Sequence, residues 1–156
     1  TNNFCWTLDK PESTMSLGST LTKIFPDLGI LLLNGPLGAG KTTLVKGIAK
    51  SLKIQEPITS PTFPLSQHYP LGSPPLVHLD LYRIEEKNAA NEFFLQEEEE
   101  SKAIGALMVV EWPERLSLPM PDAWRGKLEY SSENQSRFFQ LIPPLDKDNK
   151  LSISSK

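Results

Sequence analysis

The residues best suited to chemistry lie together: Gly35-Pro36-Leu37-Gly38-Ala39-Gly40-Lys41-Thr42 matches G-x-x-x-x-G-K-[ST] at every specified position. A nucleoside triphosphate carries several negative charges that must be met at close range by donors. Gly35, Gly38 and Gly40 have no side chain to hold the backbone away from phosphates, so successive N–H groups can converge on them. Lys41 is spaced to reach the outer phosphates, and the Thr42 hydroxyl, at the start of the following helix, to bind Mg²⁺. That helix, predicted over 41–52, adds the positive end of its dipole. The spacing therefore predicts a nucleoside triphosphate site.

Such a loop works only between a buried strand and a helix, and both patterns are present. Ile30-Leu31-Leu32-Leu33 is an apolar run too short for a helix, as expected of a parallel strand covered on both faces. Upstream, 4–8 alternates like a strand. Ser13 or Thr14 can cap a helix reaching Phe25, with Met15, Leu17, Leu21 and Ile24 facing inward. Downstream, the prolines of 57–64 predict an extended loop leading into a strand over 65–69. Leu76-Val77-His78-Leu79-Asp80 and Ala106-Leu107-Met108-Val109-Val110-Glu111 read as two more buried strands, each ending on a carboxylate. The span 84–102 reads as a helix whose Glu97 to Glu100 form a solvated face, with docking of a basic partner as the lesser reading. Residues 127–130 and 137–142 read as a closing strand pair.

The expected fold is therefore α/β: one domain over 1–142 with a mostly parallel central sheet flanked by helices. The polar tail 143–156 is expected to be disordered. Open α/β sheets bind ligands at the carboxyl ends of their strands, which brings Asp80 and Glu111 to the rim that carries the phosphate loop. Phosphoryl transfer to water needs one acid to hold the metal shell and a polar group to orient or deprotonate the nucleophile, and each acid suits either task. Alternatively, one of them caps the following turn or pairs with Arg83 or Arg115. His78, inside a strand, is expected to be hydrogen-bonded in the sheet, and Trp112 to pack beneath the site.

Composition narrows the function classes. The net charge is −3 and the one clustered charge is acidic, so the basic face of a primary nucleic-acid binder is missing. Cys5 is the single cysteine, which excludes an internal disulfide and suits a reducing cytoplasm. No apolar stretch approaches the ~20 residues needed to cross a bilayer, so no membrane partner is expected.

The segments Gly35 to Thr43, Ser60-Pro61-Thr62-Phe63, His78-Leu79-Asp80-Leu81-Tyr82-Arg83 and Val110-Glu111-Trp112-Pro113-Glu114 follow one another in an order that resembles the TsaE (YjeE) family. These are small bacterial P-loop ATPases, and the similarity runs over about residues 12–142. The resemblance implies Mg²⁺-dependent hydrolysis of ATP to ADP in a complex with TsaB and TsaD, in service of threonylcarbamoyladenosine modification of tRNA. The tRNA would be contacted indirectly, through the complex. It also implies residue roles. Lys41 and the backbone of Gly35, Pro36, Leu37, Gly38, Ala39 and Gly40 bind phosphates, and Thr43 the α-phosphate. Thr42 and Glu111 hold Mg²⁺, Asp80 is the water-orienting acid, and Thr62 senses the γ-phosphate. Glu12, Thr14 and Arg137 lie on the base side. Pro36 stands where many members have an acid, and 91–97 lacks the glycine common in relatives. Two other readings use the same scaffold. A small-molecule kinase needs an arginine-rich lid, whereas Arg83, Arg115, Arg125 and Arg137 are scattered. A nucleotide-dependent assembly switch uses the same residues as a hydrolase.

Overall fold

Four strands run parallel at the centre of a seven-stranded sheet: β2 (Ile30–Asn34), β4 (Leu76–Asp80), β5 (Leu107–Glu111) and β6 (Trp124–Tyr130). The sheet, taken from a computed structural model that describes residues 3–61, 65–131 and 136–145, has the order β1-β7-β6-β2-β5-β4-β3. The remaining strands, β1 (Phe4–Leu8), β3 (Ser66–Tyr69) and β7 (Arg137–Ile142), join it antiparallel. Parallel pairing is thus confined to the central four strands. Of these, β2, β4 and β5 are buried on both faces, whereas β6 alternates, with Trp124, Gly126 and Leu128 buried and Arg125, Lys127 and Glu129 exposed.

Alternation along β2 feeds two cores. Leu31 and Leu33 pack with residues of α1 (Pro11–Ile24) and α2 (Lys41–Ser51), whereas Ile30 and Leu32 pack with Phe94 of α3 (Lys87–Ala103) on the other face. Helix α1 starts earlier than its hydroxyl residues predict. Lys10 is the N-cap without a side-chain bond, and Pro11, whose fixed φ suits a first helical position, opens the helix. Its buried face is Thr14, Leu17, Gly18 and Leu21, while Ile24, expected inside, is 53% exposed. The helix ends at Ile24 and the inward place passes to Phe25.

The inward face is set by a crossing of backbones. A Cβ on Gly18 would overlap the Leu44 carbonyl oxygen and stand 2.9 Å from the Ile48 nitrogen, and one on Gly47 would overlap the Met15 carbonyl. Neither obstacle can rotate away. Gly47→Ala is therefore expected to destabilise the fold by about 3 kcal/mol, the upper end of ordinary overpacking, and to lower the melting temperature measurably by circular dichroism. An unchanged melting temperature would show that α1 and α2 can separate at little cost.

Two other boundaries differ from the sequence reading. Helix α3 begins at Lys87, where the Glu86 carboxylate accepts from the Asn88 and Ala89 amides at 2.9 and 2.8 Å. Strand β6 begins at Trp124 because it pairs with β2 from Leu31 onward. The glutamate run divides: Glu99 and Glu100 are exposed, whereas Glu97 accepts from Ser66 Oγ at 3.1 Å and bonds His68 Nε2 at 2.7 Å, tying α3 to β3. Of the expected tail, 146–156 lies outside the described residues.

Candidate functional site

Strand β2 delivers the chain into the glycine loop, and α2 leaves it. Gly38 and Gly40 have φ of +80° and +103°, a region that side chains rarely adopt, so the loop's path depends on glycine at both. Gly35 is needed for a different reason, since a Cβ there would stand 2.9 Å from the Leu128 carbonyl oxygen of β6. Ala39 is buried and serves the core, while Pro36 and Leu37 are exposed.

A cavity of about 300 Å³ opens beside this loop, with Leu37, Gly38, Gly40, Lys41, Thr42 and Thr43 on one side and Asp80, Glu111 and Trp112 on the other. Sheet register explains the second group. Asp80 and Glu111 are paired residues at the ends of parallel neighbours β4 and β5, so both carboxylates emerge at one rim, as the strand-end argument predicts. Lys41 is 6% exposed; its Nζ donates to the Gly35 carbonyl at 2.6 Å and lies 4.6 Å from the centre of the Trp112 ring. Trp112 sits in left-handed backbone, φ 58°, before the 3₁₀ turn Pro113–Arg115. Asn34 at the end of β2 fixes that turn, donating to Glu114 Oε2 at 2.7 Å. Behind Trp112 the Tyr82 ring follows at 4.7 Å, and the Arg115 guanidinium covers Tyr82 and donates to its carbonyl at 2.9 Å.

Asp80 Oδ1 accepts from the Tyr82 amide at 3.0 Å, so this acid does cap the following turn as well as facing the cavity. Burial is the strongest influence on its carboxyl and raises its pKa above the ordinary aspartate value. The Tyr82 amide counters that shift, and Glu111 adds to it. A carboxyl whose folded pKa exceeds its unfolded one binds protons more tightly when folded, so it lowers stability as pH rises through that interval. Asp80→Asn keeps the acceptor for Tyr82 and removes the charge. It is expected to melt above wild type at neutral pH, with the difference vanishing below the ordinary aspartate pKa of 3.8. Melting curves across pH check this, and equal melting temperatures at pH 7 would refute it.

Glu111, 3% exposed, bonds His78 Nε2 at 2.6 Å. The hydrogen bond expected of His78 exists, but it goes to the cavity acid. No ion pair joins Arg83 or Arg115 to either acid among the described residues. Thr42 Oγ1 lies 3.5 Å from Ser60 Oγ, and Ser60 lines the cavity although the sequence reading gave it no role beyond its motif. Its signal was adjacency to Thr62, which itself lies outside the described residues. Arg137 reaches over the loop: its Nη2 donates to the Gly38 carbonyl at 3.2 Å, and its side chain lies against Gly40. Thr14 is buried, with its methyl under Gly40, and Glu12 is exposed in the first turn of α1; neither lines the cavity.

The groups that converge here are the Lys41 ammonium, the Arg137 guanidinium, the hydroxyl residues Thr42, Thr43 and Ser60, and the acids Asp80 and Glu111. The hydroxyl of Thr42 and the oxygens of Glu111 and Asp80 suit a hard divalent cation held beside a polyanion. The sequence profile described as "Threonylcarbamoyl adenosine biosynthesis protein TsaE" matches residues 8–139.

The chain belongs to the TsaE family.

Its TsaE relatives include one from Nostoc sp., 45% identical over 132 residues, covering 85% of this chain and 81% of that one. Another, from Mycobacterium bovis, is 43% identical over 119 residues, or 71% and 69% of the two chains. A third, from Aquifex aeolicus, is 36% identical over 110 residues, or 69% and 75%. All three are named tRNA threonylcarbamoyladenosine biosynthesis protein TsaE. The crystal structure of YdiB from Bacillus subtilis superposes with a TM-score of 0.68 at 23% identity, covering 99% of this chain and 97% of that one. That likeness concerns the fold. Among the described residues, no helix is long and apolar enough to cross a membrane.

Proposed function

We propose that this TsaE-family protein is a Mg²⁺-dependent ATPase that hydrolyses ATP to ADP and phosphate while acting with TsaB and TsaD in threonylcarbamoyladenosine modification of tRNA. One observation carries the reading: Lys41 and Thr42 of the glycine loop face Asp80 and Glu111, from adjacent strand ends, across a single cavity. In this reading the amides of Gly38 to Lys41 and the Lys41 ammonium grip the β- and γ-phosphates, and Thr43 the α-phosphate. To do so, Lys41 exchanges its bond to the Gly35 carbonyl for a phosphate oxygen. Thr42 and Glu111 hold the cation, which when bound neutralises charge on the phosphoryl oxygens. Asp80 orients the attacking water, and its raised pKa fits a group that also takes up the water's proton. Thr62 senses the γ-phosphate, while Glu12, Thr14 and Arg137 lie on the base side of the nucleotide.

The acidic composition supports leaving tRNA contact to the partner subunits. Phosphate release, measured for the chain alone and with TsaB and TsaD added, tests the proposal. Stimulation by both partners is the expected outcome. Release of ADP only when a hydroxyl acceptor is supplied would replace it with a kinase.

A further inference from the structure

Strand β4 carries a histidine among buried apolar residues: Leu76, Val77 and Leu79 are at most 1% exposed, and so is His78. An imidazole so placed loses its hydration and must recover it through hydrogen bonds. Among the described residues its Nδ1 has no partner, so its one polar contact there is the 2.6 Å bond from Nε2 to Glu111 Oε2. The geometry of the sheet makes that contact possible. His78 and Asp80, two residues apart, share a face of β4, and Glu111 is the β5 residue paired with Asp80, so the ring reaches diagonally to the neighbouring strand end. In the Nε2–H tautomer the ring donates this bond to the carboxyl oxygen. Glu111 Oε1 has no hydrogen-bond partner among the described residues, and Glu111 lines the cavity.

We propose that His78 is a positioning residue, anchoring one oxygen of Glu111 so that the other is presented to the cation beside the phosphates. The inference rests on the reading of Glu111 as a holder of Mg²⁺. It follows the general pattern in which a cation's ligands are themselves oriented by a hydrogen-bonded neighbour.

The test uses the full chain, ADP as the probe, and calorimetric affinities measured in EDTA and across a Mg²⁺ titration. Thermal melts run alongside. His78→Asn places an amide where Nδ1 stood, short of Glu111, whereas His78→Gln extends one to the position of Nε2. The Asn variant is expected to need about 10- to 100-fold more Mg²⁺ for the same gain in ADP affinity, with its affinity in EDTA unchanged. The Gln variant should restore the wild-type dependence. A folded Asn variant with wild-type Mg²⁺ dependence would overturn the proposal, as would equal impairment of both variants. If the Asn variant does not melt cooperatively, the Gln variant decides: unshifted Mg²⁺ dependence supports the proposal, and a shifted one rejects it. A wild-type protein whose ADP affinity ignores Mg²⁺ would instead remove the assignment of Glu111, and this inference with it.

Discussion

In a titration with a fluorescent adenine nucleotide, Lys41→Ala is expected to raise Kd by at least about 100-fold, or ~2.8 kcal/mol, while leaving the fold intact. The lysine is already stripped of most water at 6% exposure and held by one carbonyl and one aromatic face. Transfer of its ammonium to a phosphate therefore incurs little further desolvation, and the full charge-assisted bond appears in the affinity. Truncation should not unfold the chain, because Lys41 lines the cavity and the space its ammonium vacates can admit a water to the Gly35 carbonyl. Wild-type affinity in this variant would mean that the glycine loop is not where the nucleotide is gripped.

The second large effect separates binding from chemistry. Asp80→Asn is expected to lower phosphate release by about 10²- to 10⁴-fold, the range typical of a lost acid–base group, and to keep nucleotide affinity near wild type. Glu111→Ala should also lose turnover, and it should destabilise the fold as well, because the buried His78 Nε2 is left without its acceptor. Only Glu111→Ala should weaken the gain in affinity that Mg²⁺ brings. Single-turnover phosphate release with saturating nucleotide measures the first effect, and full activity in either variant would take that residue out of the mechanism. Together with the melting behaviour of Asp80→Asn, the outcome describes a site that gives up stability for function.

Much of this was legible in the chain because it is local. The glycine loop, the apolar runs on either side of it and the acids closing β4 and β5 are each written within ten residues or so. The rule that α/β ligands gather at strand ends then joins them. What could not be read depends on cross-strand register and helix crossing. The bond from His78 to Glu111 needs the alignment of β4 with β5, and the reach of Arg137 to Gly38 needs β7 beside the loop. Helix α1 was misjudged at Ile24 because counting apolar residues favoured a hydrophobic stripe. The actual inward face is defined by a glycine, Gly18, whose value lies in having no side chain.

The crossing at Gly18 and Gly47 has a mechanical consequence. With no intervening layer of side chains, neither helix can slide past the other without lifting away, so α1 and α2 act as one stator behind the glycine loop. Movement around the cavity is left to the opposite bank. There Asp80 is tethered to the backbone of Tyr82, and Lys41 rests on a ring that packs at a tilt against that of Tyr82. A displacement of Trp112 would therefore be passed outward along that aromatic file to Tyr82, which is exposed, and to the guanidinium that covers it.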